Sequence, residues 1–130
     1  MKDLTVLLGR IGLALMFVVF GWAKLHDMAG TQAYMQSAGV SGALYPLVLL
    51  AELGGGLAIL TGTLTRIAAP LLALFCLASA CLFHYPHMAT DPGQAINFWK
   101  NVSIAGGFLV LAAHGAGAWS VDGWWASRKR

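Results

Sequence analysis

Charge is what this sequence has least of. Lys, Arg, Asp and Glu make up 10% of its 130 residues, where a soluble domain carries roughly 25%. Too little polar surface is available to cover a core in water, so a soluble globule is excluded. The formal net charge of +3 forms no basic stripe along which phosphates could run, so no nucleic-acid partner is expected. Cysteine is almost absent as well. Cys76 and Cys81 lie five apart in one apolar run. On a helix they point about 140° apart, and their axial separation is too great for a disulfide. No CxxC occurs, which removes a dithiol centre and a zinc knuckle. Both cysteines are expected to be buried and inert. The sequence also lacks a phosphate-binding loop, a nucleophile elbow and a metalloprotease motif. The histidines are scattered. His84 and His87 flank Pro86 without a third ligand at a recognisable spacing, so no metal site is expected. No cofactor is encoded by a motif.

What the chain has is apolar length. Hydrophobic residues make up 58%. They fall in four stretches, about 4–23, 44–62, 67–83 and 98–118. Each is near the roughly 20 residues that cross a hydrocarbon core of about 30 Å. Runs this long and this rich in Leu, Ala and Gly favour helices over buried strands. The expected fold is all-α: one domain over residues 1–130, an antiparallel bundle of four transmembrane helices in a lipid bilayer. Lys2 ahead of the first stretch gives it the look of a signal peptide. The stretch is too long and ends in no clean cleavage site, so it reads as a retained span. The connector Lys24–Ala43 is expected to hold a short interfacial helix over about Thr31–Ser37. The connector Thr63–Arg66 forces a tight antiparallel hairpin. His84–Asn97, with Pro86 and Pro92, is expected to be non-helical.

Lys and Arg placement predicts orientation. With four spans, Lys2, Arg66, Arg128, Lys129 and Arg130 fall on one side, and only Lys24 and Lys100 on the other. Both termini are therefore expected in the cytoplasm. Trp22, Tyr45, Tyr85, Trp99, Trp119, Trp124 and Trp125 lie near the span boundaries, where amphipathic rings settle.

Two charges lie inside spans, Arg10 and Glu52. Each costs about 2.5–3.5 kcal/mol at the bilayer centre and needs a partner or water. Counting 1.5 Å per residue puts Arg10 about 9 Å, and Glu52 about 16 Å, from the terminal side. The guanidinium arm covers that difference, so an Arg10–Glu52 ion pair is expected, as a functional site or as a structural bridge. Arg10, Phe17, Gly21 and Lys24 share one helical face; Glu52, Gly55, Gly56 and Ile59 share another; Lys100, Gly107 and His114 share a third. The glycines read as close-packing points between helices, or as room for a flat ligand such as a quinone headgroup. At the far ends gather Lys24, His26, Asp27, His84, His87 and Lys100. The ordinary reading of Lys24 and Lys100 is snorkelling toward headgroups. His114 is expected to be a packed interior residue.

Four segments carry a family resemblance: LGRIGLALMFVVFGWAKL (Leu8–Leu25), ELGGGLAILTGTLTR (Glu52–Arg66), LFHYPH (Leu82–His87) and FWKNVSIAGGFLVL (Phe98–Leu111). With the connector AGTQAYMQSAGV (Ala29–Val40), they resemble the DoxX family of small bacterial inner-membrane proteins over nearly the whole chain. The specific part is the combination: an intramembrane Arg, G-W-x-K, E-x-G-G-G with T-R at the hairpin, then K-N. Some members are linked to a thiosulfate:quinone oxidoreductase, others to resistance against quinones, thiols or oxidative stress. Arg10, Lys24, Glu52, Arg66, His84, Lys100 and Asn101 match the family's polar pattern. The resemblance assigns none of them a catalytic role, and the missing close cysteine pair argues against thiol chemistry in this subunit.

Three functions stay open at this stage. The first is a quinone-linked or oxidative-stress-related redox subunit. It has Glu52 and Arg10 in a cavity floor and His84, Lys100 and Asn101 at the outer mouth, and it works with a redox partner protein that supplies electrons. The second is a proton-coupled small-solute transporter, which four helices can form only as a homo-oligomer. The third is an accessory subunit without chemistry.

Overall fold

The computed structural model describes residues 1–129, and its helices follow the local signals in the sequence. The first, α1, is Lys2–His26. The second, α2, is the ten-residue Met28–Ser37, whose N-cap Asp27 accepts from the Gly30 amide at 3.0 Å. It ends in a Schellman turn: Gly39 takes φ 74°, its amide donates to Gln36 O, and the Val40 amide donates to Met35 O. Three more long helices follow, α3 (Gly42–Thr61), α4 (Thr65–His87) and α5 (Pro92–His114). A short α6, Val121–Arg128, closes the described chain. With α1, the helices α3, α4 and α5 are each 20 to 25 residues long and strongly apolar. Their large side chains Leu15, Val19, Leu47, Leu71, Leu74 and Val110 point outward. This is an all-α, four-span membrane bundle. Arg130 lies outside the described residues, and so does its assignment to a side.

The helix limits differ from the apolar stretches for identifiable reasons. Pro92 does not break a helix; it starts one. It occupies the first turn of α5, where its missing N–H costs nothing, behind the N-cap Asp91, whose carboxylate accepts from the Gly93 amide at 2.8 Å. The helix therefore begins six residues before Phe98. It stops at His114 because Gly115 and Gly117 take φ 86° and 77°. At the other proline, α4 runs on through a π-helical turn, Ala80–His84, and a 3-10 turn, Tyr85–His87. The expectation of a non-helical His84–Asn97 segment is thus corrected at both ends. Helix α2 starts one turn before Thr31 because Asp27 caps it.

Helix α1 lies on α3, and α4 lies on α5. In lipid the apolar effect does not draw helices together, so close contact must do it. A Cβ on Gly21 would stand 2.7 Å from the Leu53 amide nitrogen, and one on Gly56 would stand 2.9 Å from Phe17 Cβ. Those two glycines let the backbones touch. The core is Ala14 and Phe17 of α1, Ile59 of α3, Leu72 and Cys76 of α4, and Phe108 of α5. Phe17 meets Phe108 edge-on at 5.3 Å. Cys76 is buried, but Cys81 is exposed on the outer face of α4, which corrects the expectation that both are buried. His114 is exposed too, because the buried stripe of α5 runs through Asn101, Ala105, Phe108 and Leu111.

Both ends of the chain meet at one end of the bundle. Asp3 Oδ1 accepts from the Ala118 amide at 3.0 Å. The two oxygens of Asp122 accept from the Leu64 and Thr65 amides, both at 2.8 Å. That carboxylate caps the start of α4, where the helix dipole favours negative charge. It also supports the hairpin, in which Gly62 (φ 70°) and Leu64 (φ 49°) both take left-handed backbone.

Candidate functional site

Arg10 and Glu52 do not meet. Arg10 is 2% exposed and lies at the terminal end of the bundle. Its Nη1 donates to Ala116 O at 2.6 Å, and its Nη2 donates to Trp119 O at 3.0 Å and Leu60 O at 3.3 Å. The guanidinium therefore ties the last turn of α3 to the segment between α5 and α6. It needs Gly62 at its side, since a Cβ there would stand 2.5 Å from Nη1. Glu52 is level with Gly21, as the Gly21–Leu53 contact shows. That is eleven residues along α1 from Arg10, about 16 Å. Side-chain direction widens the gap. Helical side chains lean toward their own N-terminus, which carries the Arg10 arm away from Glu52. The expected ion pair is replaced by another.

The same lean brings Lys24 inward. Its Nζ lies 2.7 Å from Glu52 Oε2, and the two side chains are 26% and 13% exposed. Lys24 thus turns into the bundle instead of snorkelling outward. Beyond that ammonium, the buried Oε2 has no other donor among the described residues. Tyr45, buried at the start of α3, donates its hydroxyl to Lys24 O at 2.8 Å and fixes the end of α1.

The pair faces a cavity of about 590 Å³ at the end of the bundle away from the termini. Met16, Phe17, Phe20 and Phe75 line its apolar part. Tyr34 and Met35 of α2 line it from across the mouth, and Tyr34 stacks on Phe83 at 5.1 Å. His84, Asn97, Lys100 and Asn101 complete it. His84 Nδ1 lies 2.6 Å from Gln94 Oε1. Lys100 Nζ donates to Asn97 Oδ1 at 2.9 Å, and Asn101 Nδ2 donates to Asn97 O at 3.1 Å. Lys100 itself is exposed at the rim. Glu52 stands in the π-helical turn Leu50–Gly54 and His84 in Ala80–His84. One extra residue per turn re-aims a side chain, and such turns gather at functional sites.

Of the seven candidate residues, Lys24, Glu52, His84, Lys100 and Asn101 line this cavity. Arg10 belongs to the staple at the far end. Arg66 is exposed at that same end, where a Cβ on Gly115 would stand 3.6 Å from its Nε. Tyr34, Gln94 and Asn97 were not singled out as site residues from the sequence, and Tyr45 was read only as a ring at a span boundary. Asn97 had a readable signal, since it precedes Lys100 and Asn101 by three and four residues, the spacing of one helical face. Nothing local marked the partners of Tyr45 and Gln94, which are 21 and 10 residues away.

Four membrane-spanning helices enclosing a cavity at one end of the bundle define a small integral membrane protein. Comparison with known proteins places it further. The DoxX family model matches residues 5–85. The inner membrane protein YqjF of Escherichia coli strain K12 is 47% identical over 122 residues, covering 94% of this chain and 92% of that protein. The inner membrane protein YphA of the same organism is 37% identical over 126 residues, covering 93% and 90%. The chain belongs to the DoxX family. No solved structure matches it.

Proposed function

We propose that the cavity binds a lipid-soluble aromatic ligand of the quinone class. In this reading the chain serves the bacterial inner membrane as a quinone-linked, oxidative-stress-related subunit. The supporting observation is the Lys24–Glu52 pair, set beside aromatic walls in a space of about 590 Å³. That volume suits a small ligand, the aromatic side chains suit a ring, and the ionisable groups suit its polar edge. Below the pair, Phe17, Ile59, Leu72 and Phe108 fill the bundle, which favours a pocket over a transport path. No motif in the sequence supplies an electron carrier, so the redox step is assigned to a partner protein. The relatives are named as inner membrane proteins, and the Lys and Arg bias puts both termini in the cytoplasm. The cavity then lies toward the outer leaflet.

The test is mass spectrometry of small molecules that co-purify with the protein in native lipid discs. A quinone is expected in the wild type and lost from Glu52→Leu that remains folded. Phospholipid alone, from an intact bundle that also takes up no added quinone, would reject this reading in favour of an accessory subunit.

A further inference from the structure

Helices α3 and α4 are joined on one side of Glu52 and part on the other. Toward the termini they pack closely: a Cβ on Gly55 would stand 3.0 Å from Leu72 Cδ2. Toward the opposite end, the Tyr45–Leu49 segment of α3 rests on α1 and α2, and the Ala80–His84 turn of α4 rests on α5. Among the described residues these two segments make no extended contact with each other. The seam opens at the π-helical turn Leu50–Gly54, and the π-helical turn Ala80–His84 stands on its other wall. Turns of this kind gather at functional sites.

The cavity reaches the outside through this seam. Leu44 and Leu47 of α3 and Ala78 and Leu82 of α4 line it, and all four are exposed on the outside of the bundle. A side chain that both walls a cavity and faces outward stands at an opening. These four are apolar and lie inside two membrane spans, Gly42–Thr61 and Thr65–His87, so the opening faces hydrocarbon. The far wall differs, for there α5 presents Asn97, Lys100 and Asn101. Helix α2 lies across the mouth. It packs on α1 and α3, and Tyr34 reaches over to stack on Phe83 of α4 at 5.1 Å.

We infer that the cavity is filled sideways from the bilayer, through the seam between α3 and α4, by an amphiphile whose alkyl tail stays in the seam while its polar ring lies beside Lys24 and Glu52. The inference rests on the proposed function and deepens it, since it gives the ligand a tail and a route. The tail gains little affinity in the seam, because lipid chains are as apolar as leucine. What it supplies is access: a molecule must dissolve in the bilayer to arrive at this opening. Leu44, Leu47, Ala78 and Leu82 are therefore tail-binding residues, and the charged pair meets the ring alone. No bond is made or broken in this step.

The experiment uses the full chain in lipid discs and a decyl-substituted benzoquinone that carries a photoreactive diazirine midway along its tail. After illumination, mass spectrometry of peptides locates the label. Label that excess untagged decylbenzoquinone displaces is expected on Leu44, Leu47, Ala78 and Leu82. Ala78→Trp sets an indole in the seam, and overpacking there is expected to lower the displaceable label about tenfold or more in a bundle that stays folded. Val110→Trp, on the outward face of α5, is expected to leave it unchanged. Displaceable label on Thr31 and Tyr34 of α2, or on Asn97 and Lys100 of α5, in place of the seam would overturn the lateral seating and leave the quinone-class reading standing. So would a folded Ala78→Trp that labels as the wild type does. No displaceable label anywhere in the cavity would overturn both. The wild-type map decides even if Ala78→Trp fails to fold.

Discussion

Glu52 and Lys24 are each tolerable in a membrane only because of the other. Taking Lys24 to Met leaves a largely buried carboxylate without a counter-charge, a defect that costs about 3–5 kcal/mol. Taking Glu52 to Leu strands the ammonium in the same way. The double replacement removes both charges and is expected to recover most of that loss, because an apolar pair of similar volume is often neutral. Thermal unfolding of the four proteins in lipid discs checks this. Losses that simply add would show that the two side chains do not support one another. Arg10 is a different case. Its fork reaches three carbonyls, and an ammonium on a flexible stem does not reproduce a planar fork. Arg10→Lys is expected to lower stability by about 2 kcal/mol or more and to leave ligand affinity of the folded fraction intact. A selective loss of binding with unchanged stability would move Arg10 into the site.

At the scale of elements, the contact between α1 and α3 depends on two missing side chains. Gly56→Val would drive a branched side chain into Phe17 and Val18. Overpacking of this kind costs about 1–3 kcal/mol, and here it also tilts the helix that carries Glu52. Reduced stability together with weaker probe binding is expected, whereas the same change at Gly12, where a Cβ meets nothing within 4 Å, is expected to do neither. Equal effects at the two positions would remove the close-contact argument. The helices themselves were legible in the sequence because apolar length is a strong signal for a span. The face of α1 holding Arg10, Phe17 and Gly21 was legible too, and all three are buried. The partner of Glu52 was not. Counting depth along two spans ignored both the lean of side chains toward the helix N-terminus and the register set by Gly21 and Gly56. The π-helical turns were equally invisible, since Leu50–Gly54 and Ala80–His84 carry no proline, and the charge of Glu52 does not by itself mark an extra residue. The start of α5 was misread for a simpler reason: Pro92 was taken as a breaker when the Asp91 before it makes it a first-turn residue.

At the scale of the whole molecule, the bundle has two unlike ends. One is sealed by Asp3, Arg10 and Asp122, each bonded to backbone. The other is opened by the cavity under α2. Single cysteines at Lys2 and Lys129, in a chain with Cys76 and Cys81 replaced by Ala, are expected to label from the same side of the membrane with an impermeant maleimide. A cysteine at Tyr85 is expected to label only from the opposite side. Labelling of positions 2 and 129 from different sides would contradict the four-span topology.

The hold of Arg10 on residues near the end of the chain also bears on how the protein is made. The first span enters the bilayer carrying its guanidinium long before Ala116 and Trp119 have been synthesised. Until they arrive, the charge keeps α1 hydrated and unsettled. Only a ribosome that has finished the fourth span delivers the carbonyls that quiet it. A chain broken off before Ala116 keeps only the Leu60 carbonyl for that guanidinium, and the rest of its hydrogen bonds stay unmade.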